Sequence, residues 1–435
     1  MSVFNSGIFI GLSEIAGYFG SLNSGFKDIG VRSCFVDLSG SVFGYADNGD
    51  VAFRNLRALC KWLYRHLRKS FSGKVFFYSF GVACRWVLFF WAVARFDTFI
   101  FAYGESFFVN NLDLPFLRLL KKKIIFVFVG SDVRPPYLSG GTLVRSKILD
   151  GSNMVKSDYL RKLTEVRKKR IKYIEKYADA ILSYPSYAQL QEEPFISHSA
   201  IGFPFAVERK CPGLSAAGNS KLRILHAPSV TAVKSTLLVR DIIQRLKDKG
   251  YDFEFIEIHD QPNSEVMREI ARCDFVVDEL YSDAPLGGLG TEAAFCGKPS
   301  INGGYYARRI SGDHLAEHIP PGLFCMPDEI EMAIEKLIVD KEAVIRLGRE
   351  VKDYVEKNWR ADVVAKKFLR VIGGDAPADW RYDPHKNSYI HGYGLSEQNL
   401  KVVVSGLVEK HGLRALRLGD KPHLEKLFNE LINRR

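Results

Sequence analysis

Apolar runs a few residues long alternate with stretches in which apolar residues recur every three or four positions, and the alternation persists along most of the chain. Gly7–Leu12 reads as a buried strand, Ser21–Ile29 as a helix and Val31–Asp37 as a second strand, a βαβ opening that implies a parallel sheet. Gly40–Asp50 is a polar turn region. Val51–Ser70 interleaves Arg54, Arg57, Lys61, Arg65, Arg68 and Lys69 with Leu56, Leu59, Leu63 and Leu67, the pattern of a basic amphipathic helix. Lys74–Tyr78 is expected as a strand, Ala83–Arg95 as a helix rich in Trp and Phe, Thr98–Phe101 as a strand, Leu114–Leu120 as a helix and Ile124–Val129 as a strand. Pro135 and Pro136 end regular structure. Met154–Tyr177 predicts a long helix carrying the Arg167–Arg170 cluster, Ala178–Tyr184 a strand, and Gly202–Phe205 a further extended piece.

Ala206–Ser220, with Pro212, Gly213 and Gly218 among small residues, reads as a linker. A second series follows, with strands at Leu222–Ala227, Phe253–Ile258 and Asp274–Asp278 and helices at Ser235–Lys249, Glu265–Ala271 and Thr291–Cys296. Glu329–Val339, Lys341–Asn358 and Arg360–Ile372 are helices. The fold class is therefore α/β. Two doubly wound, Rossmann-like domains are expected, at 1–205 and 222–372, with a linker at 206–221 and a helical extension at 373–435.

A chain of 435 residues is expected to hold two or three domains, and its 47% hydrophobic and 26% charged residues are ordinary for a globular protein. The net charge of +11 lies wholly in the first half: 27 Lys and Arg stand against 16 Asp and Glu up to Phe205, and 34 against 34 after it. A basic half beside a neutral half points to a face that meets something anionic. No aromatic–basic motif of a known nucleic-acid binder is present, so an anionic membrane surface or a glycan polymer is the expected partner. The seven cysteines are widely spaced without a CxxC, as in a reduced, cytoplasmic protein without a zinc site. The chain opens without a basic leader, and its most hydrophobic run, Trp86–Ala94, is too short to span a bilayer.

The candidate chemistry centres on DAPLGGLGTEAAFCGKP, Asp283–Pro299. A strand, a glycine-rich turn and a helix start in succession present backbone N–H groups and a positive dipole end, which suits a diphosphate at Gly288, Leu289, Gly290 and Thr291. Glu292 suits the cis-diol of a ribose, because a carboxylate accepts two hydroxyl protons. The same stretch is also what any tight βα turn requires. Gly11, Gly17 and Gly20 do not fit a dinucleotide fingerprint, and Gly11 is expected to let a loop pass close to a ligand. Glu105 and Asp132 follow strands of the first domain, where either would position or deprotonate an acceptor hydroxyl; Asp132 is equally placed to cap its own turn. His259 and Asp260 end a strand of the second domain, flanking a base or lying in a solvated loop.

With a linker between two such domains and nucleotide features in the second, residues 7–372 resemble a GT-B glycosyltransferase of the family-4 type. LRILHAPSVTAVKST at 222–236 resembles that family's strand-loop-helix, where a Lys, here Lys234, holds the donor diphosphate. GTEAAFCGKPSI at 290–301 resembles its LEAMACGKPVI block, whose Glu, here Glu292, binds the donor ribose. LPFLRLLKKKIIFVFVGSDVR at 114–134 looks like the strand before the family's cleft loop. The family's usual Arg is replaced by Ser229, the first Glu of its EX7E pattern by Ala284 beside Asp283, and its cleft-strand His by Val129. A shorter branch of the family lacks that first Glu and has one βα unit fewer, as here.

The resemblance implies a retaining transferase that takes a nucleotide-diphosphate sugar as donor substrate and has no cofactor, and without a DxD in the C-terminal half no catalytic metal is expected. Lys234, Ser229 and Thr236 would supply donors to the diphosphate, and Lys234 with the backbone N–H groups would stabilise the leaving group. The expected acceptor is a hydroxyl of a lipid-linked or polymeric glycan in cell-surface polysaccharide synthesis, met at the inner face of a membrane. The alternatives are another GT-B enzyme, such as a nucleotide-sugar epimerase, and a catalytically inactive scaffold.

Overall fold

A computed structural model describes residues 7–38, 71–148, 157–206, 211, 221–309 and 314–434. The turn at Gly40–Asp50, the basic stretch Val51–Ser70 and nearly all of the linker lie outside these residues. The strands are β1 (Gly7–Leu12), β2 (Ser33–Asp37), β3 (Phe96–Ala102), β4 (Lys123–Val127), β5 (Ala180–Ser183), β6 (Phe195–Ser197), β7 (Leu222–His226), β8 (Phe253–Glu257), β9 (Phe275–Val277), β10 (Ser300–Gly303), β11 (Leu323–Cys325) and β12 (Arg381–Tyr382). Two parallel sheets form, one in the order β12-β6-β5-β4-β3-β1-β2 and one in the order β11-β10-β9-β7-β8. Among the described residues, the only antiparallel pairing in either is β12 with β6. The expected pair of doubly wound α/β domains is thus present, and the central strands are apolar runs buried on both faces, as parallel strands require.

In the first domain, α1 (Tyr18–Asp28) covers one face of the sheet, and α2 (Phe71–Arg95), α3 (Leu114–Leu119), α4 (Gly140–Arg145) and α5 (Ser157–Tyr177) lie on the other. A one-turn helix, α6 (His198–Ile201), follows β6. The strand expected at Lys74–Tyr78 is instead part of α2, which is helical throughout Phe71–Arg95. A five-residue apolar run satisfies either period, and continuity with the following turns decides it. In the second domain, α7 (Thr236–Asp248), α8 (Asn263–Arg272), α9 (Gly288–Phe295), α10 (Tyr305–Arg309), α11 (Ile330–Val339) and α12 (Lys341–Asn358) flank the sheet.

The chain then returns. The helix α13 (Ala361–Gly373), assigned from the sequence to the second domain, packs on α1 of the first, with Phe368 against Phe26 at 6.3 Å. Lys367 donates to the carbonyls of Ala200 and Ile201, and burial draws its amine down to about 8. The extension is not purely helical: β12 adds a strand to the first sheet, and α14 (Glu397–His411) and α15 (Pro422–Asn433) join the core that lies under α5. Both crossovers run side by side, since the Phe205 N–H donates to the Trp359 carbonyl and the Ala361 N–H donates to the Phe205 carbonyl.

Candidate functional site

The carboxyl ends of the two sheets face each other, where ligands of open α/β sheets collect. On the second-domain side, β9 leads into Asp278 and Glu279, a turn carries the chain to Gly287, and α9 begins at Gly288. The Gly290 N–H donates to Asp278 Oδ2 at 3.0 Å. Lys234, in the loop before α7, donates to Asp278 Oδ1 and Glu279 Oε2, each at 3.1 Å. Burial disfavours the Lys234 charge, but the two carboxylates outweigh it and hold the amine well above its ordinary value. Glycine is needed at 287 because a Cβ there would lie 2.6 Å from Asp278 Oδ2. Lys234 and the start of α9 therefore come together as expected, but around two acidic side chains that the sequence reading did not place there.

Glu279 is the least settled of these groups. Burial raises its carboxyl to about 7 against the pull of Lys234, and its Oε1 is buried without a hydrogen-bond partner. Behind it, His226 Nδ1 donates to the Val277 carbonyl at 2.8 Å, so Nε2 accepts from Thr236 Oγ1 at 3.0 Å. Burial lowers the pKa of the ring, which favours this neutral form. Thr236 is thus turned into the domain, and Ser229 is exposed on the loop before it.

Glu292 is buried one turn into α9, and its Oε1 accepts from Asn263 Nδ2 at 2.7 Å at the start of α8. Thr291 Oγ1 donates back to the Gly287 carbonyl, and Leu289 packs into the core between α8 and α9. Gly288 lies close to the other domain: a Cβ there would lie 3.9 Å from Ala16, in the loop after β1. His259 is bonded to Glu257, whose carboxyl is held at about 2, first by its hydrogen bond with Arg240, and Asp260 is exposed beside it. Gly11 lies inside β1, where a Cβ would sit 2.9 Å from the Val36 carbonyl, so sheet packing by itself favours a glycine there.

On the first-domain side, Asp132 is buried and caps its own turn, its Oδ1 accepting from the N–H groups of Val129 and Gly130 at 3.1 and 2.9 Å. Burial raises its pKa, and Oδ2 has no hydrogen-bond partner. Glu105 is exposed on the turn after β3. Two residues beyond Asp132, Arg134 crosses the cleft to Asp283, with Nε and Nη2 donating to its two carboxylate oxygens at 2.6 and 2.8 Å. The Arg167–Arg170 cluster supports this turn instead of forming a free basic surface. Arg167 donates to the Arg134 carbonyl, Arg170 to the Asp132 carbonyl, and Lys168 to Asp420, leaving Lys169 exposed.

The extension supplies the remaining wall. Tyr393 lies under Arg134, ring to guanidinium at 4.2 Å, and is electrostatically coupled to Glu279 and Lys234. Its N–H donates to the Leu138 carbonyl of one domain, and the next N–H, of Gly394, donates to the Tyr281 carbonyl of the other. Gly394 has φ 62°, and a Cβ there would lie 2.6 Å from Val233. Nothing local in the HKNSYIHGYG sequence at 385–394 says that it lies between the domains. Among the described residues, no group of three or more His, Cys, Asp or Glu is arranged to hold a metal ion.

No known family description matches the chain, and no curated protein does. Among solved structures, it is similar to Anabaena HepE in complex with UDP-glucose, at 11% identity over 84% of this chain and 99% of that one, with a TM-score of 0.47. An alpha-glucosyltransferase bound to UDP and a 13-mer DNA shares 12% identity over 84% and 98%, with a TM-score of 0.45. S. aureus TarM shares 10% identity over 63% and 54%, with a TM-score of 0.41.

Proposed function

We propose that the chain is a glycosyltransferase that takes a sugar from a nucleotide-diphosphate donor. The observation that carries this reading is the cluster at the mouth of the second sheet. A half-buried lysine, the first N–H groups of α9 and a carboxylate with one unpartnered oxygen meet there, and Glu292 stands one turn further along the same helix. A diphosphate placed against Lys234 and the positive end of α9 would face two sources of positive charge without a metal. Glu292 would then reach the ribose. The departing diphosphate gains negative charge as the glycosidic bond breaks, and a donor fixed in place stabilises that charge without reorganising.

The acceptor hydroxyl would come from the first domain, where Asp132 and Glu105 remain the candidates to position it. A lipid-linked or polymeric glycan, in cell-surface polysaccharide synthesis at the inner membrane face, is the acceptor that the basic first half favours.

Two measurements test the reading. Thermal shift against a panel of nucleotide sugars should give one or more stabilising donors, with the same shift in the presence of a chelator. A shift abolished by chelator would remove the metal-free reading. Incubation with that donor and a glycan acceptor should transfer the sugar; an epimerised donor, or binding without turnover, would favour the epimerase or the inactive scaffold. Separately, Glu292→Ala should weaken binding of the nucleoside alone by roughly 1.5–3 kcal/mol, the worth of hydrogen bonds to a charged group. Equal nucleoside binding by wild type and variant would remove the diol role.

A further inference from the structure

We propose that the outer face of α2 and α3, with the turn that joins β3 to α3, docks on the surface of an anionic lipid bilayer. The proposal does not depend on the transferase reading, because it concerns a different face of the first domain and its test reads no turnover.

The observation is a concentration of large apolar side chains where a helix would ordinarily present polar ones. On α2, Trp86, Val87 and Phe90 are exposed, Val87 by 70%, and Val109, Phe116 and Leu119 continue the surface, Val109 by 73% and Leu119 by 78%. Single exposed apolar residues are common, but a contiguous patch marks an interaction site.

The patch is one surface. The Trp86 ring stacks on Phe90 at 5.7 Å and lies 4.3 Å from the ring of Phe108, in the turn before Val109. Arg85 Nη1 donates to the Phe107 carbonyl at 3.0 Å and fastens α2 to that turn. Buried Asp113 accepts from the N–H groups of Phe107 and Phe108 and leads directly into α3. Phe89 of α2, Phe107 of the turn and Leu117 of α3 belong to one core above the sheet, and Phe116 and Leu119 are on the exposed side of α3.

The charge at the rim selects the occupant. Lys121 and Arg95 are exposed at the ends of α3 and α2 with no acidic partner among the described residues, and Arg118 and Lys122 are paired with Asp179 and Asp97 respectively. An apolar face with Trp and Phe at its centre and cations around it matches acyl chains beneath anionic headgroups. A second copy of the chain would bring the same positive rim against itself. Among the described residues, no helix is long and apolar enough to cross the membrane, so the contact is with its surface.

The test is sedimentation of the full chain with vesicles of phosphatidylcholine alone and of phosphatidylcholine mixed with phosphatidylglycerol. The expected result is binding to the mixed vesicles that weakens as salt rises, since headgroup attraction is screened. Phe90→Ser combined with Leu119→Ser should weaken that binding by about tenfold or more, because each exposed side chain contributes in proportion to the apolar area it buries in the bilayer. Circular dichroism and the thermal midpoint should stay as in wild type. Should this variant fail to fold, Arg95→Glu with Lys121→Glu, both on exposed positions, should weaken binding in its place. Vesicle binding equal to wild type in a folded variant overturns the proposal. So does wild type that ignores both vesicle types, and so does a dimer in sedimentation velocity that the apolar substitutions disperse while vesicle binding is absent.

Discussion

Arg134→Met is expected to lower the stability of the folded chain by about 3–5 kcal/mol, the cost of leaving a buried carboxylate without its partner. Asp283 is 2% exposed and Arg134 5%, so water cannot replace the lost contact. Burial disfavours the charge of the guanidinium, but Asp283 outweighs that effect. The arginine also lies between the rings of Tyr187 and Tyr393, at 5.1 and 4.2 Å, which adds packing that methionine only partly restores. Arg134→Met together with Asp283→Leu should recover most of the loss, because a buried ion pair is often replaceable by apolar groups of similar size. Chemical unfolding of the three proteins checks this. A double variant as unstable as Arg134→Met would mean that the loss comes from the stacking and not from the stranded charge. The pair joins the two domains, so the single variant should also lose protection from proteolysis in the loops around the cleft.

The second large effect is a pH dependence of donor binding. Glu279 has its carboxyl raised to about 7 by burial and faces Lys234, Asp278, Asp283 and Tyr393. A diphosphate brought against Lys234 adds negative charge beside it and raises it further. Binding therefore takes up a proton whenever Glu279 starts ionised. Affinity for a nucleotide sugar, whose phosphates do not titrate in this range, should be highest below about pH 6 and should fall as pH rises through 7. Far enough above that point the fall approaches about tenfold per pH unit, until the bound form also loses its proton. The sign for the empty protein is the same. A carboxyl raised in the folded state contributes stability that is present below the ordinary carboxylate range and is lost as pH rises through about 7. Glu279→Gln should bind the donor at pH 8 about as tightly as wild type does at pH 6, and calorimetry in buffers of different ionisation enthalpy should show its proton uptake gone. A wild-type affinity that is flat from pH 6 to 8 would remove Glu279 from the site.

The strand and helix order of both domains was legible in the chain because it is written at short range. Runs such as FIFA in β3 and IIFV in β4 fit buried parallel strands, and the amphipathic period of α7 and α12 fits helices packed on one side. The approach of Lys234 to the start of α9, and Glu292 within that helix, followed from the same local pattern together with a family resemblance. The fate of residues 361–435 was not written there. Packing of α13 on α1 and pairing of β12 with β6 join positions far apart in sequence, and nothing within either segment favours one sheet over the other until both exist. The same holds for charge. In the sequence, Arg167–Arg170 is a run of cations. In the fold, three of its members are consumed by backbone carbonyls and carboxylates brought from elsewhere. Lys234, expected to await an anion, already has two, because β9 places Asp278 and Glu279 beside it. Composition and periodicity determine what each segment is; which charges end up facing each other depends on distances that only the assembled domains set.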